Sequence, residues 1–295
     1  VTNVLITGAG GQDAYYLMNK LSGLGYQIFG MVRPGDPTRY EYLKEIPFLT
    51  LVQGDLLDYQ SLLAIAGGIP EPDIIINTAG ITSPAACWGT PELAIATNGI
   101  GAIRMLDIYS NPKTKFIQFS SIARFGPYGA TKVLADMFLD DYRIRGFPVT
   151  SIQFAGHHSP RRSPQFFSRR VTLGVEKIRR GDRRPLELGN LDRRQDWGAA
   201  PDFMEAVLEI IEKEPGTYTV ATGNPVSLRE FVDRAFSYAD MDWREHVKED
   251  QFPIQPTDVP VLSAPMDERL HWRPAMTFDA LVYWLVQSER DLARG

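Results

Sequence analysis

Short apolar runs alternate with longer amphipathic stretches through the first half of the chain. The runs Val4–Ile6, Gln27–Val32, Phe48–Val52, Asp73–Asn77, Lys115–Phe119 and Val149–Phe154 read as parallel strands covered on both faces. Between them, Asp13–Gly23, Asp58–Ala66, Glu92–Tyr109 and Thr131–Arg145 space their apolar residues at helical intervals. This alternation predicts an α/β fold, a Rossmann-like doubly wound parallel sheet. After Phe154 the rhythm breaks into prolines, paired arginines and short mixed elements. The expectation is a sheet domain over 1–154 and a smaller C-terminal substrate domain over 155–295, with elements free to interleave. Leu281–Leu292 reads as an amphipathic packing helix.

Composition narrows the function classes. The chain has 295 residues, 44% hydrophobic and 23% charged, with a formal net charge of −5. An acidic balance argues against a general nucleic-acid partner, whose affinity would come from neutralising phosphates. Cys87 is the sole cysteine, so no internal disulfide and no thiolate metal cluster forms, and a reducing, cytoplasmic setting is the default. No apolar run approaches the ~18 residues of a membrane span, and no basic-then-apolar leader is present. The start at Val1 rather than methionine points to a few residues missing ahead of it. One segment departs from the acidic balance: Arg161–Arg194 carries eleven Arg/Lys against four Asp/Glu, a local charge of +7. It reads either as a solvated basic face or as a site for an anion such as a pyrophosphate, which paired arginines grip bidentately.

Two motifs carry chemistry. Thr7–Asp13 reads T-G-A-G-G-Q-D between the first strand and the first helix. Gly8 and Gly11 suit a turn in which bare backbone approaches a pyrophosphate at a helix N-terminus, and Ala14 stands where a third glycine is expected. The second strand ends at Arg33, with Arg39 nearby and no acid to hold a ribose diol, which favours NADP over NAD. Asp55, in Gly54-Asp55-Leu56 after the third strand, reads equally as an adenine contact and as an ordinary loop residue. The second motif is Tyr128-Gly129-Ala130-Thr131-Lys132. Tyrosine and lysine four apart share a helix face, and a neighbouring ammonium lowers a phenol pKa of about 10 towards that of a working base. Ser120 and Ser121 end the preceding strand, where a hydroxyl can hydrogen-bond a substrate.

Over nearly its whole length the sequence resembles the GDP-mannose 4,6-dehydratases. The resemblance rests on T-G-A-G-G-Q-D, V-R-P at Val32–Pro34, Y-G-A-T-K, S-P-R-R at Ser159–Arg162 and L-G-N-L-D at Leu188–Asp192. D-W-G at Asp196–Gly198, A-T-G at Ala221–Gly223 and W-R-P at Trp272–Pro274 complete it. It implies oxidation at C4 of a nucleotide-diphosphate sugar, a GDP-sugar by preference. Loss of water across C5 and C6 follows, with return of the hydride to C6. It implies catalytic roles for Ser121, Tyr128 and Lys132. Cofactor contacts fall to Gly8, Gly11, Gln12, Asp13, Arg33, Asp55, Leu56, Thr78, Ala79, His157 and Arg162, and again to Tyr128 and Lys132. Substrate contacts fall to Thr82, Ser83, Ser121, Arg169 and Arg170. No metal is implied. The family's arginine-rich cofactor loop, here at Thr38-Arg39, implies a homodimer or homotetramer.

The departures concentrate in the sugar pocket. The family's acid/base glutamate is Ala123, and a methyl group cannot remove a C5 proton or protonate a leaving hydroxyl, work worth about 10²–10⁴-fold. Gly156, His158, Gln195, Gln255, Ile81 and Leu93 also replace family polar residues, and Cys87-Trp88 stands where the family has Ser-Phe. His158 reads as a structural histidine, and as a substitute base only if it reaches C5. About twenty residues of the family pattern between Gly126 and Pro127 have no counterpart. Either an active-site loop is lost or a segment is absent from this sequence, and the match on each side favours the second. Three functions remain open: a dehydratase with a displaced base, a 4-ketoreductase or epimerase, and a non-catalytic sensor of NADP or sugar nucleotide.

Overall fold

The computed structural model describes residues 1–35, 37–109, 111–249 and 261–293, and Gln255 lies outside them. The chain divides into two units, one of Val1–Phe154 with Met204–Thr219, the other of Ala155–Phe203 with Val220–Gly295. The return of Met204–Thr219 to the first unit has no counterpart in the predicted boundary.

In the first unit the strands are β1 (Asn3–Thr7), β2 (Gln27–Val32), β3 (Leu49–Gln53), β4 (Ile74–Asn77), β5 (Lys115–Ser121) and β6 (Val149–Phe154). The helices are α1 (Gln12–Gly23), α2 (Tyr59–Gly68), α3 (Pro84–Gly89), α4 (Pro91–Ala94), α5 (Gly101–Tyr109) and α6 (Gly126–Ile144). With the strand Thr217–Val220 they form a seven-stranded sheet in the order Thr217–Val220, β6, β5, β4, β1, β2, β3. The pairings among β1–β6 are parallel, with Val4 opposite both Ile28 and Ile74 and Phe119 opposite Ile152. Strands covered on both faces need apolar residues on both, which is why β4 is buried throughout. The chain winds from β1 to β3 in one direction, then returns to place β4 on the other side of β1. At such a switch point the connections leave β1 and β4 towards opposite ends of the sheet, and ligands of such sheets bind outside the carboxyl ends of the strands.

Two predicted helices differ in detail. Glu92–Tyr109 is α4, a π-helical stretch Ile95–Ile100 and α5 rather than one regular helix. The widened turn carries Asn98, whose side chain bonds outside the helix, as π-bulges at functional sites commonly do. Helix α6 begins at Gly126, not Thr131, because Pro127 is pre-set for a first turn. Residues 122–125 connect it to β5.

The second unit contains α7 (Phe167–Arg179), α9 (Leu228–Ser237) and α10 (Phe278–Leu292), while α8 (Ala200–Ile211) spans the division between units. Its core is centred on Trp197, which stacks on Phe231 at 4.4 Å and on His158 at 4.6 Å between ring centroids. Helix α9 starts at a reciprocal cap: the Ser227 hydroxyl accepts from the Glu230 N–H and the Glu230 carboxylate from the Ser227 N–H. Buried Asp196 accepts from the Thr222 and Gly223 N–H groups and from the Ser263 hydroxyl, holding A-T-G to D-W-G. Because Phe231 is fully buried in this stack, Phe231→Ala is expected to lower unfolding stability by about 3–5 kcal/mol. Denaturant unfolding checks this; a loss below about 1 kcal/mol would place the core elsewhere.

Candidate active site

The loop after β1 is shaped by close backbone packing. Gly8 has φ +68, and a Cβ there would lie 2.8 Å from the Ala79 Cα, so the turn excludes any other residue. The contact brings the loops after β1 and β4 together at the switch point. Side-chain bonds complete the join: the Thr78 hydroxyl donates to the Thr7 carbonyl at 2.6 Å, and the Ala79 N–H donates to the Thr7 hydroxyl at 3.1 Å. Helix α1 begins at Gln12 behind Gly11, a cap with no side chain to occupy the helix terminus. Ala14 is fully buried, as the position of the third glycine demands. A tight glycine turn against an uncapped helix end is the cradle a dinucleotide pyrophosphate requires, so these residues fit such a cofactor.

Tyr128 and Lys132 stand one turn apart on α6, with the Lys132 Nζ 6.0 Å from the centre of the Tyr128 ring. Lys132 is only 4% exposed and donates to the Phe119 carbonyl at 2.9 Å. Burial brings its pKa down to about 8, against the opposing influence of Asp136, then Cys87 and Asp13. The ammonium is therefore charged at neutral pH and lost a little above it. Ser121 ends β5, its hydroxyl accepting from the Ala123 N–H at 3.1 Å. Close packing also seats the segment carrying Ala123 against α6: a Cβ on Gly129 would lie 2.6 Å from the Arg124 carbonyl carbon.

Sequence reasoning missed Asn98. Its amide oxygen accepts from the Ile81 N–H at 2.7 Å, and its Nδ2 donates to the Ile81 carbonyl and to the Thr131 hydroxyl. One buried side chain thus ties the loop after β4 to the turn of α6 that carries Lys132. Its only signal was an amide in an otherwise apolar stretch. Asp136 was missed as well; it accepts from the Ser120 and Ser151 hydroxyls and from Arg124.

The remaining expected contacts of the first unit fall as follows. Gln12 donates to the Asp13 carboxylate at 2.8 Å. Arg33 is exposed at the end of β2, and Arg39 is exposed beside the Tyr40 ring. Asp55 accepts from the Leu57 N–H at 2.9 Å, which shows its structural use as a turn former. Leu56 is buried, and its carbonyl accepts from Arg104. Thr82 is exposed, while the Ser83 hydroxyl caps α3 by accepting from the Ala86 N–H.

In the second unit, His157 bonds the Ala155 carbonyl and stacks on Phe203. Arg162 donates to the His157 carbonyl and lies over the Phe166 ring. Arg169 and Arg170 are not an equivalent pair. Arg169 is engaged by buried Glu289 and by the Pro160 and Arg162 carbonyls, whereas Arg170 is exposed. Similar pairing occupies much of the basic segment: Arg179 and Arg180 with Glu176, Arg184 with Asp182, and Arg194 with Glu230. His158 is buried, with its Nδ1 at 3.0 Å from the Ser168 hydroxyl. Burial first, then the charges of Arg162 and His157, hold its pKa well below the ordinary histidine value. It is a neutral, packed residue. Among the described residues no group of three His, Cys, Asp or Glu side chains could hold a metal.

A family model for GDP-mannose 4,6 dehydratase matches residues 5–284. GDP-mannose 4,6 dehydratase 1 of Arabidopsis thaliana is 30% identical over 326 aligned residues, covering 98% of this chain and 90% of that protein. The Homo sapiens GDP-mannose 4,6 dehydratase is 30% identical over 343, covering 98% and 92%. Among solved structures, a dTDP-glucose 4,6-dehydratase of Bacillus anthracis in complex with NAD superposes with a TM-score of 0.84 at 17% identity, covering 99% and 97%. RMD of Pseudomonas aeruginosa, complexed with NADPH, gives 0.80 at 17% identity, covering 99% and 100%. These two likenesses are of fold, the Rossmann-type sheet described above. With the match running through both the glycine turn and the Tyr128–Lys132 helix, the chain belongs to the GDP-mannose 4,6-dehydratase family.

Proposed function

We propose that the protein is an NADP-dependent enzyme that modifies a nucleotide-diphosphate sugar, a GDP-sugar by preference. In this reading its C4 redox step is intact and its dehydration step is weakened. The observation that carries the reading is the buried Lys132 ammonium beside Tyr128, on a helix tied by Asn98 to the loop after β4. Tyr128, as phenolate, takes the proton of the C4 hydroxyl, and Lys132 favours that phenolate by its charge. Ser121 donates a hydrogen bond to the same sugar oxygen. A nicotinamide cofactor, held at the glycine turn of Gly8 and Gly11, would supply the hydride acceptor for this step. Curated relatives named as GDP-mannose 4,6-dehydratases support the substrate class, and structural neighbours holding NAD or NADPH support the cofactor class. Exposed Arg170, rather than Arg169, is the residue we assign to the sugar-nucleotide pyrophosphate.

Ala123 supports a second reading, a 4-ketoreductase or epimerase, since neither reaction needs an acid/base group there. His158, buried and neutral against Trp197, offers no support as a displaced base. Incubation with GDP-mannose and NADP, with the product identified by NMR, separates the readings. Ala123→Glu is expected to raise dehydration about 10²-fold or more, and Tyr128→Phe to abolish redox chemistry. Fast dehydration by the unmodified enzyme, not increased by Ala123→Glu, would overturn the weakened-elimination reading.

Arg33 supports NADP over NAD because it stands at the end of β2 as an exposed cation. Arg33→Ala is expected to weaken NADP binding about tenfold or more while leaving NAD binding unchanged. Calorimetric titration measures both; equal affinity for the two cofactors in the unmodified protein would contradict the assignment.

A further inference from the structure

Asp136 is the most heavily engaged carboxylate near Tyr128 and Lys132, and none of the roles above uses it. It is 9% exposed. Its Oδ2 accepts from the Ser120 hydroxyl at 2.9 Å and from the Arg124 Nη1 at 2.6 Å, and its Oδ1 accepts from the Ser151 hydroxyl at 2.6 Å. The donors come from β5, β6 and the segment carrying Ala123, so one side chain pins all three to α6. On that helix Tyr128, Lys132 and Asp136 follow at intervals of four, on successive turns of one face. A buried carboxylate persists only when it is paired and hydrogen-bonded, and here Arg124 is the ion-pair partner.

The arrangement sets three charges on neighbouring groups: Arg124 is paired with Asp136, and Asp136 stands one helical turn from Lys132. Resting on the redox reading given above, we propose that Asp136 is a positioning residue for the Tyr128–Lys132 pair. It anchors the end of β5 to α6 and supplies the standing negative charge that keeps the Lys132 ammonium protonated, while Arg124 tempers that charge. Every other group facing Lys132 does less. The Phe119 carbonyl of β5 accepts its hydrogen bond without a net charge, and the Tyr128 ring lies 6.0 Å away. Cys87 of α3 is a thiol whose pKa burial raises, so it stays uncharged. Asp13 of α1 acts in the same direction as Asp136 and more weakly. Asp136 itself faces Arg124, Ser120, Ser151 and Lys132.

The pairing makes two substitutions act in opposite directions on one proton. Asp136→Asn keeps the shape but removes the negative charge, so Lys132 loses its proton at lower pH. Arg124→Met frees the carboxylate from its counter-charge, so Lys132 holds its proton to higher pH. The measurement is an NMR titration of the full chain carrying lysine labelled with ¹³C at Cε, the Lys132 signal being the one that Lys132→Met removes. Unmodified protein is expected to titrate at about 8. Asp136→Asn should move the midpoint down by about one unit or more, and Arg124→Met should move it up by a smaller amount.

A merely structural role would not give shifts of opposite sign. If Asp136→Asn does not fold, the sign of the Arg124→Met shift decides alone. No shift with Asp136→Asn, or a downward shift or none with Arg124→Met, overturns the proposal. The titration needs neither substrate nor cofactor. The expected shifts in a protein without hydride-transfer activity would therefore uphold the role of Asp136 and count against the redox reading.

Discussion

A lysine ammonium placed almost wholly inside the protein is the constraint around which the first unit is organised. Transferring a cation out of water is costly unless it is hydrogen-bonded and balanced by charge. Lys132 meets that requirement through the Phe119 carbonyl and the carboxylate of Asp136 one turn away. The Phe119 carbonyl also accepts from the Gln118 Nε2, whose side-chain oxygen accepts in turn from Asn77, itself bonded to the Thr7 hydroxyl. A buried polar chain therefore runs across the ends of β5, β4 and β1, from the lysine to the glycine turn. Satisfied networks of this kind rigidify what they connect. Loss of one member leaves its neighbour unpaired, which ties the geometry of the reacting groups to the integrity of the sheet.

The second unit solves a different problem, that of eleven basic residues within thirty-four positions of sequence. Five of them, Arg169, Arg179, Arg180, Arg184 and Arg194, are matched by acids, Arg169 by Glu289 from far along the chain. Burial raises the pKa of Glu289, and the charge and hydrogen bond of Arg169 oppose that rise. The segment is thus in part a set of internal ion pairs, with Arg170 among its exposed members. Beneath it, the stack of His158, Trp197 and Phe231 gives the unit its apolar centre, and Asp196 fixes two of its family motifs to each other.

Much of this was legible in the sequence. Uniform apolar runs identified the central strands because burial on both faces leaves no polar alternation to confuse the period. Tyr128 and Lys132 were legible because a helix puts residues four apart on one face, and Gly8 because a tight turn admits nothing larger. What escaped was set by tertiary partners. Asn98 gains its role from a π-turn that no local propensity announces, and Asp136 from serines on two different strands. Arg169 looked equivalent to Arg170 because a sequence cannot show that Glu289, 120 positions later, claims only one of them. The passage of Met204–Thr219 into the first unit escaped for the same reason: its helix is amphipathic whichever core it faces.

The central claim is that Tyr128 and Lys132 still support the transfer of hydride from C4 of a nucleotide sugar to a nicotinamide cofactor although position 123 is alanine. Transfer of label from GDP-mannose deuterated at C4 tests it most directly, in a single turnover with NADP in excess of enzyme. The account predicts that deuterium leaves C4, to be recovered by mass spectrometry on the nicotinamide ring where water is not lost and at C6 of the sugar where it is. GDP-mannose recovered unchanged, with all its deuterium at C4, from a complex in which both ligands are demonstrably bound would contradict it.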